Sequence, residues 1–177
     1  MLRILVIIAA LIAIAVVVVL ILAATKPDTF VVQRSLDIRA QQEKIAPLIT
    51  DMRAWKDWSP YEGRDPDMKR TYSGAPSGKG AIYAWDGDKN VGAGRMEIID
   101  ASSSLVRIQL DFFRPFEAHN IAEFTLTPQG DTTRVKWSMR GPTPFFGKIM
   151  HVFINMDRMV GDDFAAGLAK LKALAER

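Results

Sequence analysis

The sequence predicts an α+β protein in which a seven-stranded antiparallel sheet wraps a long C-terminal helix, with one transmembrane helix at the N-terminus. An uncharged apolar run at 4–24 predicts the membrane helix. Seven later segments alternate apolar and polar residues and are separated by Gly, Pro and Asp clusters, which is typical of an antiparallel meander. Residues 145–175 instead repeat apolar residues every three or four positions, the spacing of one helix face.

The N-terminal run has the length of a membrane span. As a helix its 21 residues extend over about 31 Å, and the hydrocarbon core of a bilayer is about 30 Å thick. A cleaved signal peptide has a shorter apolar core and small residues before its cleavage site, where this chain has Leu22. We therefore expect a single-pass membrane protein that contacts the membrane through residues 4–24. Basic residues lie on both sides of the run, so the side that carries the domain stays open.

The rest of the chain has the composition of a soluble domain. We divide the sequence into an anchor at 1–25, a short linker at 26–28 and one domain at 29–177. The 22 basic and 20 acidic residues after residue 24 are interspersed without a basic block, and we expect no nucleic acid partner. There is no cysteine, and His119 and His151 are the only histidines, so we expect neither a metal site nor a cofactor.

The elements of the domain follow from its local patterns. Short helices are predicted at 40–52 and 53–59. Strands are predicted at 29–39, 68–73, 80–85, 92–101, 105–113, 118–127 and 133–140. One long helix is predicted at 145–175, in which Gly161 and Gly167 allow a bend or a close approach to the sheet.

The last four strands have one apolar face and one charged face, because successive residues of a strand point to opposite sides. The apolar face carries Met96, Ile98, Ile108, Leu110, Phe112, Ala122, Phe124, Leu126, Val135, Trp137 and Met139. The charged face, which includes His119, is interpreted as a solvated surface. We expect the C-terminal helix to cover the apolar face.

The carboxylates offer no specific catalytic pattern. A cluster lies between the short helices and the second strand, at Asp57, Glu62, Asp65 and Asp67. Two of them could act as an acid and a base if burial raised one pKa, but carboxylates near Pro and Gly are more typical of turns and helix caps. No Ser-His-Asp arrangement or phosphate-binding loop is present. We therefore assign no catalytic residue.

Four groups of motifs make the chain similar to a known superfamily. They are Trp55-Lys56-Asp57-Trp58-Ser59-Pro60 with Asp65-Pro66, Gly78-Lys79-Gly80-Ala81 with Tyr83-Ala84-Trp85, Gly92-Ala93-Gly94-Arg95-Met96, and Met156-Asp157-Arg158-Met159-Val160-Gly161-Asp162-Asp163-Phe164. Together with the order of elements they resemble the SRPBCC, or START-like, superfamily, and more closely its polyketide cyclase/dehydrase and lipid transport proteins. The resemblance covers roughly 29–176. It implies a helix-grip (Bet v1-like) fold with a cavity between sheet and helix, and it transfers no catalytic residue.

The side chains between sheet and helix are expected either to fill a core or to line a pocket. Aromatic and methionine side chains suit a pocket for a hydrophobic small molecule or lipid. The predicted ligand-binding residues are Trp58, Tyr83, Trp85, Phe112, Phe124, Trp137, Met139, Phe153 and Met156. The expected function is a membrane-anchored binding protein. The alternatives are a cyclase or dehydratase with a Tyr or His proton donor in the same cavity, and a non-catalytic interaction module of the cell envelope.

Overall fold

The computed structural model describes residues 1–177, which form four α-helices, one 3₁₀ helix and seven strands. The helices are α1 (Leu2–Ala24), α2 (Gln42–Thr50), the 3₁₀ helix (Met52–Asp57), α3 (Phe145–Phe153) and α4 (Met156–Ala175). The strands are β1 (Thr29–Ile38), β2 (Lys69–Gly74), β3 (Ala81–Asp86), β4 (Ala93–Ala101), β5 (Leu105–Arg114), β6 (Ala118–Gln129) and β7 (Thr132–Pro142).

All seven strands form one antiparallel sheet in the order β1-β7-β6-β5-β4-β3-β2. β2 to β7 are a meander in which each strand pairs with the next, and β1 pairs with β7. The predicted seven-stranded antiparallel sheet is confirmed, and the ends of every predicted strand lie within about two residues of the observed ends.

The inner face of the sheet is the side that α4, α2 and the 3₁₀ helix cover. Every residue predicted for the apolar face is buried there except Phe112, which is half-buried. The outer face carries ion pairs between neighbouring strands, such as Arg107 Nε with Glu123 Oε2 at 3.1 Å. The predicted division into an apolar and a charged face is therefore confirmed.

The C-terminal segment forms two helices, and the prediction of one long helix at 145–175 is wrong. α3 ends at Phe153, and α4 begins after Asn155, whose side-chain oxygen accepts a hydrogen bond from the backbone N–H of Arg158 at 2.9 Å. Asn is a favoured residue at this position because its side chain satisfies a free N–H of the first helical turn. The apolar spacing continues across the break, so periodicity alone does not reveal it. α4 packs on the sheet, whereas α3 packs against α1.

Two glycines let α4 lie close to the sheet. A Cβ atom at Gly161 would overlap the guanidinium of Arg34 on β1, and one at Gly167 would lie 2.8 Å from the ring of Trp137. Arg34 reaches past Gly161 to Asp157, where it donates to the carboxylate at 3.0 and 3.1 Å and to the backbone carbonyl at 2.9 Å. Close approach is therefore the role of both glycines, and α4 is continuous through them.

The predicted N-terminal apolar helix is present as α1. By its length and composition it could cross a membrane. Its side chains are exposed along almost the whole helix, and Ala23 in the last turn is buried where α1 meets α3.

Candidate ligand-binding site

One end of the inner face is filled by aromatic rings. This closed end consists of Trp55, Trp58, Phe124, Trp137 and Phe164, which are 0–3% exposed. Trp137 stacks on Phe164 with ring centroids 3.9 Å apart, and Trp58 meets Phe124 edge-on at 5.9 Å. The indoles of Trp55 and Trp58 donate hydrogen bonds to two carbonyl oxygens of α2, both at 2.9 Å. Rings packed this closely leave no space for a ligand.

The other end of the inner face is covered less completely. This open end consists of Trp85, Met96, Leu110, Phe112 and Met139. Met96, Leu110 and Met139 keep 7–9% of their surface exposed although their strands lie inside the sheet, and Trp85 and Phe112 are half-buried. Met96 lies directly opposite Leu110, and the ring of Trp85 meets that of Phe112 edge-on at 5.6 Å. The open end is therefore the less completely covered part of the inner face.

A buried carboxylate lies next to the open end. Glu62, whose side chain is 8% exposed, accepts hydrogen bonds from the Tyr83 hydroxyl at 2.6 Å and from Arg70 Nε at 2.7 Å. Tyr83 stacks between Tyr72 and Trp85, with centroid distances of 5.1 and 6.1 Å. This network fixes the Tyr83 ring beside Trp85.

The tyrosines near this network are protonated at neutral pH. Burial raises the pKa of the Tyr83 hydroxyl well above its usual range, and the hydrogen bond to Glu62 raises it further. Burial, followed by the negative charge of Asp163 on α4, raises the pKa of Tyr61 in the same direction. The hydroxyl groups of both tyrosines are therefore weaker acids than that of a solvent-exposed tyrosine.

Two buried polar atoms of the inner face have no hydrogen-bond partner in the protein, Asn120 Oδ1 and Trp137 Nε1. Asn120 is 5% exposed and lies directly opposite Leu110. Its amide oxygen occupies the place that a Cβ atom of Gly141 would take. An unpaired buried polar atom costs about 1–3 kcal/mol. Asn120 is therefore a candidate for binding a polar group of a ligand at the open end.

The structure divides the predicted ligand-binding residues into three groups. Trp58, Phe124 and Trp137 belong to the closed end. The second group lies at or beside the open end and consists of Tyr83, Trp85, Phe112 and Met139. Met156, at the start of α4, is partly buried and packs against the hydrophobic core. Phe153 is 69% exposed on α3, away from the others, because the helix that was expected to carry it over the sheet is broken.

Neither histidine faces the open end. His119 lies on the outer face, as its strand position predicts, with Nδ1 2.8 Å from Asp111 Oδ1, and this hydrogen bond raises its pKa. His151 on α3 packs edge-on against Phe30 with ring centroids 6.3 Å apart.

The carboxylate cluster divides into structural roles. Asp65 accepts hydrogen bonds from the backbone N–H groups of Asp67 at 3.0 Å and Asp88 at 2.8 Å, which is the turn role that the sequence indicates. Glu62 instead belongs to the buried network with Tyr83. No group of three or more His, Asp or Glu side chains is arranged to hold a metal ion.

Two surface clefts lie outside the inner face. One, of about 430 Å³, is lined by Lys26 and residues 151–156, where α1, α3 and α4 meet. The other, of about 300 Å³, lies against β1, β6 and β7 and is lined in part by His119 and Arg140. The first borders the inner face, because His151 contacts Phe30 at the start of β1.

This arrangement of sheet, helix and apolar inner face belongs to a known family. The family described as polyketide cyclase/dehydrase and lipid transport matches residues 29–176, and the chain is a member of it. No functionally curated protein matches the chain.

Solved structures share the fold at low sequence identity. Norcoclaurine synthase from Thalictrum flavum, in complex with dopamine and hydroxybenzaldehyde, has a TM-score of 0.61 and 16% identity, covering 87% of this chain and 90% of its own. The Aha1 dimer from Colwellia psychrerythraea has a TM-score of 0.55 and 17% identity over 83% and 96% of the two chains. A Chromobacterium violaceum protein has a TM-score of 0.58 and 14% identity over 86% and 99%. This likeness confirms the Bet v1-like fold.

Sequence reasoning missed two features of the site. Asn120 has the same strand parity as Ala122 and Phe124, so a polar residue in an apolar row was a signal that could have found it. The contact of Glu62 with Arg70 and Tyr83 joins a loop to two strands, and no local pattern predicts such a contact.

Proposed function

We propose that this protein is a membrane-anchored binding protein for a hydrophobic small molecule or lipid, which it holds at the open end of the inner face. The observation that carries the proposal is the incomplete cover of the open end, where Trp85 and Phe112 are half-buried and the buried side chains beside them keep 7–9% of their surface exposed. A soluble domain gains stability by covering such side chains, at roughly 25 cal/mol per Å². A bound apolar ligand would supply that cover, and Asn120 would orient its polar group.

Anchoring by α1 fits this function. Ligands with low water solubility are concentrated in the bilayer, and a domain tethered there meets them at a high effective concentration. The linker between α1 and β1 comprises only residues 25–28, so the domain stays next to the membrane. The protein is therefore proposed as single-pass, with α1 retained as the span.

The test is the lipid content of the purified full chain, measured by organic extraction and mass spectrometry. Met139→Trp adds a large ring to the open end and is expected to reduce the copurified ligand at least about fivefold, since it fills the space that the ligand would occupy. Ser138→Trp adds the same ring to the outer face of the same strand and serves as the matched control. A wild-type protein without any bound apolar molecule, or equal loading of both variants, would contradict the proposal.

A second candidate is a cyclase- or dehydratase-type enzyme with Tyr83 as proton donor. The hydroxyl of Tyr83 beside Trp85 favours it, but the raised pKa makes this phenol a poor acid, which favours binding over catalysis. Tyr83→Phe keeps the ring stack and removes the proton. If the protein is an enzyme of this type, the variant retains the ligand but no longer converts it. Product analysis by mass spectrometry distinguishes this candidate function from ligand binding alone.

A further inference from the structure

An exposed apolar surface outside α1 lies on α3, on the residue that follows it and on the β5–β6 loop. We call it the docking face. It comprises Phe116, Phe145, Phe146, Met150, Phe153 and Ile154, whose exposed fractions range from 36% to 69%. A water-exposed helix ordinarily presents polar residues to solvent, yet none of the nine residues of α3 is buried, and the exposed ones are Phe and Met. A contiguous apolar surface of this kind marks an interaction site.

The polar side chains of α3 point away from the docking face. Lys148 is only 13% exposed, because its ammonium group donates to Asp28 in the linker at 2.5 Å. His151 is half-buried against Phe30 at the start of β1. The exposed side of α3 therefore carries no charge. A partner surface that is itself apolar fits it better than a charged one.

The position of α3 along α1 identifies that apolar partner. α3 packs against α1, and the buried residue of α1 is Ala23, one residue from the end of its apolar run. A span of 21 apolar residues is only just as long as the hydrocarbon core is thick, so its last turn lies at the boundary between acyl chains and headgroups. A helix that packs against this turn lies at the same depth.

The β5–β6 loop contacts α3 and therefore lies at the same depth relative to the bilayer. The ring of Phe116 in this loop packs against that of Phe146 on α3, with centroids 5.7 Å apart. Two separate elements thus present exposed phenylalanines beside the end of α1. Interfacial helices with this apolar character bury one face about 5–10 Å into the headgroup and acyl boundary.

We infer that the docking face is embedded in the surface of the bilayer that α1 spans. This inference rests on the proposed anchoring by α1. It also places the start of β1, next to the open end, against the membrane, so that an apolar ligand passes between bilayer and inner face without crossing water.

The test uses the full chain in vesicles of three parts phosphatidylcholine to one part phosphatidylglycerol. Because the chain has no cysteine, single nitroxide labels can be placed at Phe116→Cys, Phe146→Cys and Phe153→Cys. Ser103→Cys, in the exposed β4–β5 turn at the opposite end of β5, is the water-exposed control, and Ile12→Cys in α1 is the membrane control. The measurement compares collisions of each label with oxygen, which enters lipid, and with a water-soluble nickel chelate.

The expected result is lipid contact at positions 116, 146 and 153, with nickel accessibility at least about fivefold lower than at 103. Nickel accessibility equal to that at 103, with position 12 in lipid, overturns docking and leaves the anchor intact. Labels shielded from both reagents show a protein partner or second copy on this face, which also overturns it. A water-exposed label at position 12 refutes the anchor itself and docking with it. Circular dichroism verifies the fold of each variant, and the lipid content of the purified protein tests ligand binding separately.

Discussion

The two ends of the inner face are built from the same kinds of residues but differ in how completely they are covered. At the closed end, rings from the 3₁₀ helix, β6, β7 and α4 pack to 0–3% exposure. At the open end, Trp85 and Phe112 are half-buried although they lie on the same side of the same sheet. The difference lies in the cover: residues of α2 and the 3₁₀ helix join the core around the closed end, whereas α3 turns away to pack against α1. In the proposed function, the closed end stabilises the fold and the open end binds the ligand.

The largest expected effect is the loss of a ring from the closed end. Trp58→Ala is expected to lower the free energy of unfolding by about 3–5 kcal/mol, because it leaves a cavity among packed rings. Denaturant unfolding measures this change. A loss below about 1 kcal/mol would show that the closed end is not the stabilising core.

The two glycines of α4 test how tightly this helix packs on the sheet. Gly167→Ala is expected to lower the free energy of unfolding by about 1–2 kcal/mol, since overpacking against Trp137 and Pro60 outweighs the gain in helix propensity of about 1 kcal/mol. Gly161→Ala meets the flexible end of Arg34, which can swing outward, so the expected change is within about 0.5 kcal/mol. Denaturant unfolding measures both changes, and an equal change in the free energy of unfolding for the two variants would contradict this expectation.

At the open end, Phe112→Ala is expected to separate binding from stability. Because the ring is half-buried, the free energy of unfolding falls by no more than about 1.5 kcal/mol, less than the cost of deleting a fully buried ring. The copurified ligand is expected to fall severalfold, as mass spectrometry would quantify. A large loss of stability with unchanged ligand content would reverse the assignment of the two ends.

The smallest expected effect concerns the outer face. The hydrogen bond to Asp111 raises the pKa of His119, so this pair stabilises the fold fully below the unfolded pKa of about 6.5 and less as pH rises through the folded value. In thermal unfolding, the stability of His119→Gln is expected not to show this decline above about pH 6.5. The ligand content of the variant is expected to equal that of the wild type. A pH dependence identical to that of the wild type would contradict the pairing.

The sheet could be predicted from the sequence because strand alternation and turn residues are local signals. The same alternation correctly placed Met96, Leu110 and Met139 on the inner face. The break at Asn155 was not predicted, because the apolar spacing runs through it and the cap depends on one side-chain hydrogen bond. That single missed break moved Phe153 from the expected pocket to the docking face.

The candidate site was less predictable than the fold. Strand parity shows that Trp137 and Phe112 share a face, but it cannot show which of them a helix covers. That depends on where the helices pack, and α3 packs against α1, which is far away in the sequence. The closed end is therefore a filled core, as one of the two alternatives predicts, and a pocket at the open end stays a proposal.

Tryptophan fluorescence tests the division between the two ends most directly. Three of the four tryptophans, Trp55, Trp58 and Trp137, belong to the closed end, and only Trp85 belongs to the open end. A brominated fatty acid added to the solubilised full chain is expected to quench the wild type partially and Trp85→Phe hardly at all, because bromine quenches on contact. Undiminished quenching in Trp85→Phe would place the apolar ligand among the closed-end rings and contradict the account.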